Sequence, residues 1–227
     1  MTTPADSDSF LNALPCGGPP ATARADARLV LLTRAYDFAA RAHVYQKRKG
    51  AHQGLDYPYL NHLCEVAALV AEVCADPDVI VAAILHDCVE DRHAALADVR
   101  EAFGERTALL VDAMTDRPEW ELLTTAERKR LQAESLASKP PEAKIIKMAD
   151  QVSNLRARTR ALDRWTPLRL RAYLTSCQVV ARACEGASPH LDGLFRAAAT
   201  ELGAALDALP PLSAAETQAL DKLGDGP

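Results

Sequence analysis

The sequence predicts an all-α protein with a single domain of about eight to nine helices. The chain has 227 residues, the length of one large domain or two small ones. Hydrophobic residues make up 48% of it and aromatic residues only 5%, so small and aliphatic side chains supply most of the apolar surface. That bias favours tightly packed helices over a sheet. Apolar residues recur at spacings of three and four almost throughout, and no segment shows a convincing strand pattern.

The predicted domain lies between two extensions. Residues 1–24 are rich in Pro, Gly, Ser, Thr and Asp and are expected to form a flexible N-terminal arm. Residues 208–227 are expected to form a C-terminal tail with a short helical segment at 213–223. The domain spans residues 25–207, and its helices are predicted at 25–45, 60–74, 78–88, 96–103, 106–114, 125–137, 142–160, 167–184 and 188–206.

The first three helices and the loop between them have distinct patterns. Leu29, Leu32, Tyr36 and their neighbours repeat every three or four residues, which predicts the first helix. The polar segment 47–56 contains two glycines and is expected to be a loop. The second helix is apolar and stops near Asp76-Pro77. The third is apolar on every side, which is typical of a buried helix.

The later helices follow from amphipathic spacing and from proline positions. The segments at 96–103, 106–114 and 125–137 each have one apolar face. A long helix begins after Pro140-Pro141, because proline is favoured at a helix start and disfavoured inside. Two further helices, the first starting at Pro167, complete the domain.

Charge and cysteine usage exclude several classes of protein. The chain has 26 basic and 31 acidic residues, a net charge of −5, so no general binding to a nucleic-acid backbone is predicted. The six cysteines form no CxxC pair and lie mostly in apolar helices, which favours reduced core thiols. No stretch is apolar enough for a membrane span, and no signal peptide is apparent. A cytoplasmic protein without membrane contact is expected, with its oligomeric state open.

The third helix ends in a cluster of ionisable residues that needs an explanation. His86-Asp87 closes its apolar run and Glu90-Asp91 follows one turn later. Anions are disfavoured at a helix C-terminus, and burying them unpaired is costly, so a cation is expected beside them. His62 and Asp150 also lie in apolar helices. Two imidazoles and two carboxylates suit Mn²⁺ and tolerate Fe²⁺ or Zn²⁺.

These residues belong to a set of motifs that resembles a known family. The motifs are Arg48-Lys49, YxxH at 59–62, HDxxED at 86–91 and KxADxxxNL at 147–155. Their order and spacing resemble the RelA/SpoT-type small alarmone hydrolases of the HD superfamily, a group that includes the metazoan SpoT homologue. The resemblance covers roughly Leu29 to Tyr173. It implies an HD-domain helical bundle that removes the 3′-pyrophosphate of (p)ppGpp and releases pyrophosphate, with no synthetase activity.

The resemblance also implies roles for individual residues. The Mn²⁺ ligands would be His62, His86, Asp87 and Asp150. Glu90 and Asp91 would position the attacking water and handle protons, as residues near a metal-activated nucleophile can do. The substrate contacts would be Arg48, Lys49, Asn154 and Tyr173.

Departures from the family pattern leave the substrate open. The segment between Lys49 and His62 is a few residues longer than in close relatives and carries His52 and Gln53 near the expected base pocket. An adenosine 3′-pyrophosphate such as ppApp, the 2′-phosphate of NADPH, or another 3′-phosphonucleotide therefore remains an alternative to the guanosine substrate. A third hypothesis is a non-catalytic HD module that senses nucleotides.

Overall fold

The computed structural model describes residues 26–52 and 55–224, and its architecture is almost entirely helical. This confirms the predicted all-α bundle. The expected N-terminal arm, residues 1–24, lies outside the described residues. The helices are α1 (Ala27–Ala42), α2 (Leu60–Ala71), α3 (Pro77–Glu90), α4 (Leu96–Phe103), α5 (Glu105–Met114), α6 (Thr125–Leu136), α7 (Pro141–Arg160), α8 (Pro167–Cys184), α9 (Pro189–Asp207) and α10 (Ala214–Gly224).

A small antiparallel hairpin occupies the segment predicted to be a loop, so the expectation of no strand is wrong there. β1 (Lys47–His52) pairs with β2 (Leu55–Pro58), with Arg48 opposite Tyr57. The register is irregular between Arg48 and His52. The first strand is polar and has no apolar alternation, so its sequence lacks the period-two signal that identifies half-buried strands. The hairpin brings Arg48 towards α7.

The core is built around α3 and α7. The apolar run of α3 is buried except for the partly exposed Ile80, much as its sequence predicts, and α1, α2 and α5 pack against it. The longer α7 packs against α2, α8 and α9. Because α2, α3 and α7 meet in the interior, polar side chains on their facing sides are enclosed together. No helix in the described part of the chain is both long and apolar enough to cross a membrane.

Local capping explains where α3 begins and ends. The Asp76 side chain accepts a hydrogen bond from the Asp78 backbone N–H, and Pro77 occupies the first helical position, where its missing N–H costs nothing. At the other end Asp91 is the C-cap. Arg92 then adopts a positive φ of 59°, the only non-glycine residue to do so in the described ranges. Such backbone is uncommon outside glycine and turns the chain sharply after the helix.

Candidate metal centre

The two imidazoles and two carboxylates predicted as ligands converge in the interior. His62 lies in the first turn of α2, His86 and Asp87 near the end of α3, and Asp150 in the middle of α7. His62 Nε2 is 3.5 Å from Asp87 Oδ2 and 3.3 Å from Asp150 Oδ1. His86 Nε2 is 3.1 Å and 3.9 Å from the same two oxygens. Both imidazoles are only 1% exposed, so the groups face one another rather than solvent.

Hydrogen bonds at the far ring nitrogens direct both Nε2 atoms into the cluster. His86 Nδ1 donates to the Ala83 carbonyl over 2.8 Å. His62 Nδ1 donates to Ser153 Oγ over 2.9 Å, and that hydroxyl donates to Glu65 over 2.7 Å. With Nδ1 engaged in this way, each ring turns its Nε2 atom towards the centre, the orientation found in metal-ligating histidines.

Each ionised group in this cluster is stabilised by the opposite charge of its neighbours. Burial alone would lower the pKa of His86, but the neighbouring Asp87 and Asp150 carboxylates raise it to about 9. Burial alone would raise the pKa of both carboxyls. However, His86 and His62 hold the pKa of Asp87 well below its usual range. His62 and Lys147 likewise lower the pKa of Asp150. The cluster thus favours two carboxylates with a cationic partner between them.

The donor set fits a divalent cation. His86 Nε2 is buried and makes no hydrogen bond despite its short distance to Asp87, so it is an orphaned atom facing two carboxylates. Ligand atoms of His62, His86 and Asp87 lie within 4.8 Å of one another. Asp150 Oδ1 borders the same space. Mixed imidazole and carboxylate ligands are typical of Mn²⁺, Fe²⁺ and Zn²⁺ sites.

Tyr59 is a neighbour of this centre whose role the sequence did not suggest. Its hydroxyl donates to Asp87 Oδ2 over 2.7 Å. Burial, together with the charge of Asp87, raises the pKa of Tyr59 far above its ordinary value, so it remains a donor at any physiological pH. The phenol therefore fixes one oxygen of a predicted ligand. The YxxH spacing marks Tyr59 as part of a motif, but a hydroxyl beside a helix start gives no local signal of its contact with Asp87.

One face of α7 carries a row of polar groups through the site. Lys147, Asp150, Asn154 and Arg158 follow at spacings of three and four, so they lie on the same side of the helix. Lys147 Nζ is 3.6 Å from Asp150 Oδ2, and the Asn154 amide donates to Asp150 Oδ1. Arg48 Nη2 then donates to Asn154 Oδ1 over 2.6 Å. The row connects the predicted ligand to the β-hairpin.

Beyond Asn154 the row is bordered by two recesses. The first, of about 230 Å³, is lined by Arg48, Asn154, Arg158 and Trp165, among others. The second, of about 430 Å³, is lined by three arginines and by Tyr173, and none of the described side chains that line it is acidic. The Arg158 guanidinium lies 3.6 Å from the ring centre of Trp165 and 4.5 Å from that of Tyr173. Three of the four predicted substrate contacts thus border this region.

The fourth predicted contact, Lys49, has its side chain outside the described part of the structure, as do His52 and Gln53. Tyr173 borders the arginine-rich recess. Arg158 and Trp165 were not predicted as site residues. Their sequence neighbourhood is a basic helix end and a polar turn, which is the pattern of an ordinary solvated surface.

Glu90 and Asp91 are adjacent in the chain but face different surroundings. Glu90 borders a cavity of about 560 Å³ with Lys147 on its wall. Burial, opposed by the charge of Lys147, raises the pKa of Glu90 to about 7. Asp91 is exposed and accepts a hydrogen bond from Gln46 Nε2 over 2.7 Å. Consecutive residues at a helix end point in different directions, so the pair offers two distinct carboxylates to the site.

The chain is similar to several proteins of known activity. A sequence model of the HD domain family matches residues 35–174. The guanosine-3′,5′-bis(diphosphate) 3′-pyrophosphohydrolase MESH1 of Homo sapiens is 36% identical over 164 residues, which cover 71% of this chain and 88% of that protein. The protein of the same name from Drosophila melanogaster is 36% identical over 166 residues, covering 70% and 89%.

A solved structure extends the similarity to the fold. It is that of a metazoan ortholog of SpoT, which hydrolyzes ppGpp, and it matches with a TM-score of 0.70 at 32% identity. The match covers 80% of this chain and 98% of that chain. The region matched by the family contains every predicted site residue, from Arg48 to Tyr173. The chain belongs to the HD domain family and, within it, to the relatives of MESH1 and SpoT.

Proposed function

We propose that this chain is a metal-dependent hydrolase that removes the 3′-pyrophosphate of (p)ppGpp-type alarmones, giving GDP or GTP and pyrophosphate. The observation that carries the proposal is the convergence of His62, His86, Asp87 and Asp150 beside a recess lined by basic residues. The relatives named as 3′-pyrophosphohydrolases support it, since they are similar over most of their length.

The four converging side chains are proposed to hold one divalent ion, as membership of the HD domain family and the cluster of ligand atoms indicate. Mn²⁺ is the proposed ion, because two imidazoles and two carboxylates with open positions suit it; Fe²⁺ and Zn²⁺ are accepted by the same donors. Bound there, the ion supplies a Lewis acid that activates water and offsets charge on phosphoryl oxygens.

The surrounding residues are proposed to orient the reactants and move protons. Water attacks the phosphorus attached to the 3′ oxygen, the bond from that phosphorus to the 3′ oxygen breaks, and the 3′ oxygen takes up a proton. Glu90 is proposed to exchange the proton, because a carboxyl with a pKa of about 7 both accepts and releases protons near neutral pH. Asp91 is proposed to orient the water.

The nucleotide is proposed to lie along the C-terminal half of the α7 row. Arg48 has a buried Nη1 with no hydrogen-bond partner in the described residues, while its Nη2 is fixed by Asn154. A guanidinium anchored at one nitrogen presents a donor and a flat cationic surface to a purine or phosphate. Lys49 and Tyr173 are the further proposed contacts. The partner is therefore a small anionic nucleotide, and no nucleic-acid or membrane contact is proposed.

A cytoplasmic location is proposed on the state of the cysteines. The five that lie in the described residues, Cys64, Cys74, Cys88, Cys177 and Cys184, are free thiols. Burial raises the pKa of Cys88 to about 12, which makes that thiol unreactive at neutral pH. Thiols that persist without disulfides are typical of a reducing compartment.

The test is turnover by the purified protein loaded with Mn²⁺, using ppGpp, pppGpp, ppApp and NADPH as substrates. Anion-exchange chromatography would resolve the products, with Asp87→Ala as the inactive control. We expect pyrophosphate from a 3′-pyrophosphorylated guanosine nucleotide and none from the variant. Release of phosphate from NADPH alone, or of pyrophosphate from ppApp alone, would support the proposed metal centre but assign a different substrate. No turnover of any of the four by the metal-loaded protein would overturn the proposal in favour of a nucleotide sensor.

A further inference from the structure

Gln46 lies at the centre of a hydrogen-bond network beside Asp91. Its Oε1 accepts hydrogen bonds from His43 Nδ1 and, over 2.9 Å, from His93 Nε2. Its Nε2 donates to Asp91 Oδ2 over 2.7 Å. These three partners come from the end of α1 and from the turn after α3, so one amide joins two elements at the edge of the metal centre.

The Asp91 carboxylate fixes which end of the Gln46 amide faces it. An amide carries an acceptor at one end and two donors at the other, and the two ends are nearly equal in shape. Because a carboxylate only accepts hydrogen bonds, the NH₂ end of Gln46 faces Asp91, and Oε1 is left for the two ring nitrogens, which donate to it. Rotating the amide by half a turn would place its oxygen against the Asp91 oxygens, with no hydrogen between them. The network therefore has one satisfied orientation.

The network is anchored to the metal centre through Tyr59. The His43 ring stacks on the Tyr59 ring with centroids 5.1 Å apart, and Tyr59 donates to Asp87. His43 is buried, and burial lowers its pKa, so the ring is neutral and its single ring proton is the one directed at Gln46. His43 also meets His93 edge to face, with centroids 4.7 Å apart.

The backbone beyond Asp91 is shaped to complete the network. Arg92 has a φ of 59°, which is an unfavourable conformation for a residue other than glycine. Such a conformation is maintained where surrounding contacts stabilise it. The N–H groups of His93 and Ala94 both return to the Cys88 carbonyl over 3.0 Å. This turn reverses the chain so that Asp91 and His93, on either side of Arg92, both contact Gln46.

We infer that Gln46 is a positioning residue that holds the Asp91 carboxylate in place for the hydrolytic step, with His43 and His93 anchoring the carbonyl end of its amide. The inference rests on the proposed function and goes beyond the residues assigned there. Gln46 acts through Asp91, and its side chain is not among those that line the nucleotide recess. His93 contributes from an exposed position through its contact with the Gln46 carbonyl oxygen.

Replacing the amide should affect turnover rather than substrate binding. Gln46→Ala is expected to lower kcat about 10- to 100-fold, the usual effect of removing an orienting partner, with KM and metal affinity close to those of the parent. Gln46→Glu keeps the shape and both acceptor contacts but places a carboxylate against Asp91, so it should lose as much kcat as Gln46→Ala. If Gln46 served only to fill space, Gln46→Glu would retain the parent kcat.

A double-mutant cycle isolates the route through Asp91. In an Asp91→Asn background, Gln46→Ala should cost no further activity, because the group that it positions is already gone. Additive losses in kcat would overturn the inference. His93→Ala should give a smaller loss of kcat, about 3- to 10-fold. The matched control is His190→Ala, since His190 is also exposed and also makes one 2.9 Å contact, to Glu72, on another part of the surface.

A spectroscopic measurement separates this inference from the proposed function. In protein with ¹⁵N-labelled histidine, the ring nitrogens of His43 and His93 should shift in Gln46→Ala and stay unchanged in His190→Ala, whether or not ppGpp is turned over. Unshifted ring signals would overturn the network itself. If the signals shift but the protein turns over no nucleotide, the hydrogen-bond network is supported and the proposed reaction is rejected. Metal titration should give one ion per chain, and a second ion lost in His93→Ala would mean that these groups bind metal instead.

Discussion

Arg48 and Asn154 are linked directly, although 106 positions separate them in the chain: the Arg48 guanidinium donates to Asn154 Oδ1 over 2.6 Å. Asn154 donates in turn to Asp150, a proposed metal ligand. The hairpin that carries Arg48 is thereby held against the helix that carries the centre. The proposed nucleotide, if bound at Arg48, would be held at a fixed distance from the proposed metal centre, and such placement is a large part of how enzymes lower a barrier.

Removing this guanidinium should weaken substrate binding. For Arg48→Met we expect KM to rise roughly 10- to 150-fold, because a charged hydrogen bond contributes about 1.5 to 3 kcal/mol. The value of kcat should change less, since the metal centre remains intact. Arg41→Met is the control, because Arg41 pairs with Asp37 on the exposed face of α1. Steady-state kinetics on ppGpp would check it, and an unchanged KM would exclude Arg48 from the substrate site.

The orientation of His62 offers a second prediction. Ser153 Oγ accepts a hydrogen bond from His62 Nδ1 and donates one to Glu65, so Ser153→Ala leaves the imidazole without a partner that fixes its tautomer. Metal affinity should fall about 10- to 100-fold. Competition with a fluorescent chelator would measure it. Thr200→Ala removes an exposed hydroxyl on α9 and should leave the affinity unaltered. Equal affinities in both variants would show that Ser153 does not support His62.

The proposed ligands could be predicted from sequence because buried helices carry few ionisable residues. His86, Asp87 and Asp150 interrupt apolar runs, so their burial and the need for a compensating cation follow from local pattern alone. The partners that orient them could not be found in this way. Ser153 is a common small residue on a packed helix, and Gln46 follows a helix end in a polar segment. Their importance depends on contacts with residues far away in the chain.

The hairpin was missed for a related reason. Lys47 and Arg48 begin a strand whose neighbours are polar or glycine, and strand prediction depends on alternation of apolar and polar side chains. What stabilises the hairpin is pairing between its two strands and the contact from Arg48 to α7. The Tyr59 N–H continues this pairing with the Gln46 carbonyl at 3.0 Å. None of these contacts produces a recognisable pattern in the sequence of the hairpin.

The environment of Glu90 gives a pH dependence of stability for the metal-free protein. Burial raises its pKa from 4.5 to about 7, so between these pH values the folded protein holds a proton that the unfolded chain releases. Stability should therefore decrease as the pH rises from 4.5 to 7, by about 3 kcal/mol from this group. Glu90→Gln lacks the titrating group. The free energy of unfolding of the parent, relative to that of the variant, should decrease over this window.

Urea unfolding in the presence of a chelator at several pH values would measure this difference. The other titrating groups occur in both proteins and largely cancel. Glu201→Gln provides the matched control, since Glu201 is exposed on α9 and its replacement should leave the pH dependence unaltered. A difference between parent and Glu90→Gln that stays constant from pH 4.5 to 7 would show that Glu90 is not buried as described.

The last prediction concerns how far the folded domain extends. The HD family match ends at residue 174, yet α9 packs against α7 and buries Leu191, Phe195 and Leu202. We therefore expect the domain to reach residue 207, as the sequence predicts. Leu202→Ala should cost about 2 to 5 kcal/mol of stability in a single unfolding transition, because its side chain is fully buried.

In the same experiment Leu29→Ala should change stability by less than about 0.5 kcal/mol, since Leu29 is 62% exposed on α1. The kcat of Leu202→Ala should remain that of the parent below the unfolding transition, because α9 contributes no residue to the centre. Thermal and urea unfolding would measure both variants. An unchanged midpoint for Leu202→Ala, or two separate transitions in the parent, would mean that α9 is not part of the cooperative unit that holds the metal centre together.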